Sequence, residues 1–244
     1  MKKLDKQLGR AEFTKEELKQ INKDIDLLIK TKFTENERAI LREINQEKEV
    51  DRQERVKKLD IEAKPILEGL QKLGLKIDRF NSLTSSKVAN HPDVIPMLLE
   101  HMKSPYFDGV RSIIANALAV KEAYGAWEIF VEEYRNAPQG LGISVKGDTE
   151  ELSLSYKDSL ANTLCDLFRN ECLEEYLELL QDKKNGSSRI LLLAPLRSRY
   201  KKNPIIKEAL FELKADSDLV KEITSWKINW MWEKNKKIGG RPSK

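Results

Sequence analysis

The stretch Asp108-Gly109-Val110-Arg111-Ser112-Ile113-Ile114-Ala115-Asn116-Ala117-Leu118 closes on Ala115-Asn116-Ala117-Leu118, which returns almost letter for letter as Ala161-Asn162-Thr163-Leu164. A segment that recurs at a fixed place in a helical pattern marks an internal repeat. Placing the two on one register puts Arg111, Lys157, Arg189 and Lys221 in one column and Leu118, Leu164, Leu196 and Ile228 in another, at successive offsets of 46, 32 and 32. A more apolar helix precedes each: Val94 to Met102, Trp127 to Tyr134, Leu173 to Leu180, and Ile205 to Leu213. The second helices are expected over Val110 to Ala119, Tyr156 to Leu164, Ser188 to Leu196, and Leu219 to about Trp232. The longer first offset is absorbed by a loop between the two helices of the second pair, where Asn136-Ala137-Pro138-Gln139-Gly140-Leu141-Gly142 and Lys146-Gly147-Asp148 carry turn residues.

From about Asn90 to Trp226 this pattern resembles HEAT-type repeats: an apolar first helix often begun near a Pro, a turn containing Asp, then a basic residue followed by small and aliphatic positions. Asp108-Gly109-Val110-Arg111 followed by Ala115, Ala117 and Leu118 carries the resemblance best. The fold it implies is an all-α superhelix of about four helix pairs. Each pair has one apolar face too small to stand alone, so neighbours must stack to bury it. The second helices then line a concave face, where Arg111, Asn116, Lys157, Asn162, Arg189 and Lys221 are the candidate partner-binding residues. The resemblance also implies that such a basic residue pairs with a turn Asp, here Arg111 with Asp108, as part of the scaffold.

Residues 1 to 64 do not share the period. Thr14-Lys15-Glu16-Glu17 and Thr34-Glu35-Asn36-Glu37 both read as capping boxes, so each starts a helix. The first carries Leu18, Ile21, Ile25, Leu28 and Ile29 as an apolar stripe. The second begins with Ile40, Leu41 and Ile44 and thins into the charged run from Asn45 to Arg55, which spaced ion pairs can support as an exposed helix. A helical hairpin or short coiled-coil arm is expected over 1–64, the alternative being two ordinary surface helices. Pro65 is expected to open a further helix carrying Ile66, Leu67, Leu70 and Leu73. The repeat domain then spans 65–232, and a basic tail 233–244.

Composition agrees with an all-α chain: of 244 residues, 40% are hydrophobic, 34% charged and 7% aromatic, with 11 Gly and 8 Pro. No apolar run is long enough for a bilayer, and the first residues lack the apolar core of a signal peptide, so a cytoplasmic protein without a membrane role is expected. The net charge of +4 resides at the end, where Trp226 to Lys244 holds six basic residues against Glu233 alone. Within that tail, Gly240-Arg241-Pro242 resembles half of an AT-hook, with Gly239 where the first Arg of the motif belongs.

Reaction chemistry is sparse. His91 and His101 stand at no metal-ligand spacing, and Cys165 and Cys172, seven apart in a helical pattern, are too far apart to bridge. No phosphate-binding loop, dinucleotide fingerprint or nucleophile elbow is present. Glu132-Glu133 and Glu174-Glu175 read as solvated helix faces. Trp226 and Trp230 continue a stripe from Ile223 that suits a terminal packing helix.

The expectation is therefore a non-enzymatic interaction protein without catalytic residues, cofactor or metal. It would bind a protein partner through the concave face or the amino-terminal arm. Bacterial HEAT-like proteins of this size include regulators, assembly factors and toxin-neutralising partners. The alternative is nucleic-acid binding, since one HEAT-like family comprises alkylpurine DNA glycosylases that grip DNA in the concave face. Asp158 beside Tyr156 is the nearest approach here to their acidic residue beside aromatics.

Overall fold

The computed structural model describes residues 12–138 and 155–228, and among these every regular element is helical. They fall into two compact units, 12–83 and 84–138 with 155–228.

The first unit opens with three helices: α1 (Lys15–Lys23), α2 (Ile25–Lys30) and α3 (Glu35–Lys72). Both capping boxes form as the sequence predicts. Thr14 caps α1 with Glu17 reciprocating, and Thr34 caps α3 with Glu37 reciprocating. The single apolar stripe expected from Leu18 to Ile29 is instead broken at Asp24. Its side chain accepts from the Leu27 backbone N–H at 3.1 Å and starts a second helix, because a carboxylate competes for backbone donors that a continuous helix would use. Phe13, Leu18, Ile21, Leu41 and Ile44 make a small core, while Ile29 is left 76% exposed.

One carboxylate fastens this core. Glu37, almost fully buried, accepts from the backbone N–H of Phe13 and of Thr34, each at 2.7 Å. It joins the entry of α1 to the entry of α3.

The expectation of a new helix at Pro65 is corrected: α3 runs unbroken from Glu35 to Lys72 with Pro65 in its interior. A mid-helix proline removes one donor, and the carbonyl thereby left without its helical partner belongs to Ile61, which is exposed and reaches water. The opposite face meanwhile buries Ala63, Ile66 and Leu70. The helix stops at Gly74, whose φ of +88° suits a glycine. Leu75 N–H donates to the Leu70 carbonyl and Gly74 N–H to the Gln71 carbonyl, a Schellman arrangement that satisfies the last carbonyls.

The second unit begins with α4 (Ser85–Ala89) and continues as helix pairs: α5 (Ile95–Lys103) with α6 (Asp108–Ala117), and α7 (Trp127–Asn136) with α8 (Tyr156–Leu167). Then come α9 (Leu173–Gln181) with α10 (Arg189–Leu192) and α11 (Ala194–Arg199), and α12 (Pro204–Leu213) with α13 (Val220–Ser225). The helices fall close to where the alignment places them, and α5 packs on α6, α7 on α8 and α9 on α10.

Second helices α6, α8 and α10 pack on one another in succession. Small residues permit the approach: Ala115 and Ala117 on α6 and Ala161 on α8 are fully buried, and the Thr163 hydroxyl donates to the Ala115 carbonyl at 2.8 Å. Two expectations are adjusted. The third pair's second helix is split at Leu193, and the last helix ends at Ser225 rather than Trp232. Lys227 turns the chain with φ of 50°. Trp230, Trp232, most of the second-pair loop and the basic tail lie outside the described residues.

Candidate interaction surfaces

The basic column from the repeat alignment has a shared destination. Arg111 Nε donates to the Met102 carbonyl at 3.0 Å, Lys157 Nζ to the Ala137 carbonyl at 3.3 Å, and Arg189 Nη1 to the Leu180 carbonyl at 3.1 Å. Each acceptor lies at the end of the first helix of the same pair, where carbonyls lack helical partners and the helix dipole favours a cation. The column thus caps three first helices from the side.

The two arginines also reach forward to the following pair. Arg111 Nη2 meets Glu133 Oε2 of α7 at 2.6 Å, and the Tyr156 hydroxyl of α8 donates to the same carboxylate at 2.9 Å. The Arg111 partner is therefore Glu133 and not the expected Asp108. Glu133, expected on a solvated face, is half-buried in this cluster, and Glu175 likewise accepts from Trp127 Nε1 at 2.7 Å. Arg189 is fully buried and binds Asp216 at 2.8 Å and Asp218 at 3.0 Å in the turn between α12 and α13. The Arg189 guanidinium beside Asp216 holds that carboxyl below the usual Asp range. Lys157 is 2% exposed; burial draws its ammonium pKa down, against the opposing pull of Asp182 and Asp158.

The remaining members of the predicted set do not share this arrangement. Lys221 is exposed on α13. Asn116, also exposed, donates to the Ser159 hydroxyl at 3.4 Å, and Asn162 is half-buried on α8. The register of the sequence brings out Arg111, Lys157 and Arg189 as equivalent positions, but it does not extend to Lys221 and does not reveal Glu133 or Asp216. Neither lies at a local spacing from its arginine, so nothing short of the packed pairs reveals them.

Asp158 is fully buried at the start of α8, where it completes a capping box with Ser155. Its carboxylate accepts from the Ser155 backbone N–H at 3.0 Å and hydroxyl at 2.9 Å. Cys165 and Cys172 are free, and they do not share a helix as expected: α8 ends at Leu167, and Cys172 closes the turn Asn170–Cys172. His101 Nδ1 lies 2.9 Å from the Tyr106 hydroxyl. Among the described residues no group of three or more His, Cys, Asp or Glu could hold a metal ion, and no helix is long and apolar enough to cross a membrane.

The open surface of the first unit is α3. Between Ile44 and Ala63 none of its residues is buried. Arg52, Val56, Leu59, Asp60 and Leu67 of α3 face Asp78, Arg79, Phe80 and Asn81 across a groove of about 590 Å³. A second hollow of about 410 Å³, lined in part by Lys64, Gln71 and Ile77, shares Leu67 and Asp78 with it. The groove therefore has an apolar floor of Val56, Leu59, Leu67 and Phe80 between charges of both signs. Arg52 is held at its rim by a forked pair with Glu49 at 2.7 and 2.6 Å, which draws the Glu49 carboxyl down to about 2.

No family model, curated protein or solved structure matches this chain.

Proposed function

We propose that this chain is a non-enzymatic, HEAT-like scaffold that holds a protein partner, and that the arm helix α3 is the gripping element. The observation that carries the reading is the groove beside Val56 and Leu59. An 18-residue span of helix without a buried residue leaves apolar side chains in water unless something covers them, and a floor of aliphatic side chains rimmed by Arg52, Asp60, Asp78 and Arg79 suits an amphipathic peptide segment. The HEAT-like stacking is supported by the order in which α6, α8 and α10 pack and by the repeated bond from second-helix base to first-helix carbonyl. The concave face has less to offer a partner, because Arg111, Lys157 and Arg189 spend their charge inside the stack. The nucleic-acid alternative is weakened on the same ground, and Asp158 is engaged as a helix cap.

The test is crosslinking and co-purification of the full-length chain from its native cell, in parallel with the double variant Val56→Asp, Leu59→Asp. Loss of partners captured by the native chain, with the helical circular dichroism unchanged, supports the groove. Capture of the same partners at the same yield overturns it. Titration with duplex DNA at two salt concentrations checks the alternative, for which affinity must fall steeply with salt.

A further inference from the structure

The face of α3 opposite the groove has its own pattern. At 100° per residue, Val50, Glu54, Lys57 and Ile61 fall within an arc of about 60°, roughly half a turn from Arg52, Val56 and Leu59. Their spacing of four, three and four is that of a coiled-coil seam. Val50 is 50% and Ile61 74% exposed, two of the most exposed large apolar side chains among the described residues. Glu54 and Lys57 are exposed between them, and among the described residues neither has an ion-pair partner.

The order of residue types along this seam reads the same, with charge inverted, from either end: Glu47, Val50, Glu54, then Lys57, Ile61, Lys64. Acids occupy one half and bases the other. A two-fold axis between Arg55 and Val56 that sets α3 antiparallel to itself brings Glu54 of one chain onto Lys57 of the other, and Val50 onto Ile61. Glu47, which also bonds Lys15 of its own chain at 3.2 Å, meets Lys64 at both ends. A parallel pair in register would instead stack Glu54 on Glu54 and Lys57 on Lys57, which like-charge repulsion disfavours. An isologous contact must be complementary to itself, and this seam is.

We propose that this face of α3 is a homodimer interface, and that its occupant is a second copy of the chain, antiparallel, with Glu54 and Lys57 setting orientation and register. The two apolar layers, one on each side of the axis, supply the attraction, and the central charged layers cost stability while excluding shifted or parallel pairings. The contact spans residues 47–64, about 27 Å of helix by rise, which is a small interface, so a weak, concentration-dependent dimer is expected. Val50, Glu54, Lys57 and Ile61 line neither hollow, and only the end residue Lys64 borders the second one, so variants at Glu54 and Lys57 test the dimer independently of the partner-binding reading.

The experiment is sedimentation of the full-length chain over a range of concentrations, using the native chain, Glu54→Lys, Lys57→Glu, and the double swap Glu54→Lys, Lys57→Glu. The native chain should dimerise. Each single variant opposes like charges in both central layers and should associate about tenfold or more weakly, while the double swap restores association. An equimolar mixture of the two single variants should form heterodimers, because each then supplies the charge the other lacks. A native chain that stays monomeric at 1 mM overturns the proposal. So does association that ignores the single variants, or a double swap and a mixture that both fail to recover.

Discussion

Arg189 and Asp216 form an ion pair between successive helix pairs, Nη1 to Oδ2 at 2.8 Å, with the two side chains 0% and 6% exposed. The same guanidinium bonds the Leu180 and Gly186 carbonyls, so a single side chain joins the end of α9, the start of α10 and the turn before α13. Replacing Arg189 with Met leaves the buried Asp216 carboxylate without its counter-charge, held by the Asp218 backbone N–H at 2.9 Å, and the Leu180 carbonyl without its side-chain donor. The expected loss is about 3–5 kcal/mol, as for other buried pairs that lose one partner, read from the midpoint of urea denaturation.

That pair also sets an acid limit. The Asp216 carboxyl titrates below its ordinary range, chiefly through the Arg189 hydrogen bond. A group depressed in the folded state favours folding once the unfolded carboxyl is ionised, above about pH 4. The contribution is lost as pH falls through the folded value. The native chain should therefore lose stability on acidification below about pH 4, and Arg189→Met should show a shallower dependence there. Equal slopes for the two proteins would contradict the assignment.

Glu37 serves two backbone donors at once, Phe13 and Thr34. Glu37→Ala should release the entry of α1 from α3 at a cost of about 1–3 kcal/mol, the penalty for leaving buried donors unpaired. Hydrogen exchange at the Phe13 amide is the direct readout. It should become fast in the variant while amides in α8 keep their protection.

Cys165 lies between the Tyr176 hydroxyl and the Leu191 carbonyl, each 3.3 Å from its sulfur. Burial pushes its thiol up to about 12, which leaves almost no thiolate near neutral pH. In the folded protein Cys165 should remain unlabelled by iodoacetamide at pH 8 and become labelled on denaturation. Mass mapping of the cysteine peptides checks this, and rapid native labelling would show that α8 opens readily.

Glu133 collects Arg111 Nη2 and the Tyr156 hydroxyl within 2.9 Å. Glu133→Gln keeps the shape and removes the charge that Arg111 faces, so it should destabilise the first two helix pairs by about 1–3 kcal/mol. Asp108→Asn, at the position the repeat pattern favoured as the arginine's partner, should have much less effect. Comparing the two variants by thermal unfolding separates the observed pairing from the expected one.

Local chemistry is what the sequence by itself determined. A hydroxyl and a glutamate three residues apart suffice to start a helix, so the caps at Thr14 and Thr34 form where they are written. The 32-residue spacing located the helix pairs, because the period of apolar and small residues records which faces must be buried. Tertiary structure decided where the polar side chains went. Arg111 chose Glu133 at a separation of 22 residues and Arg189 chose Asp216 at 27, distances over which no helical periodicity links a base to an acid. It also decided that α3 passes through Pro65, since the missing hydrogen bond falls on a face open to water while Ala63, Ile66 and Leu70 hold the other side. Short-range bonds depend on neighbours in the chain and can be read there. The destination of a buried charge depends on which helices pack together, and only the folded arrangement specifies that.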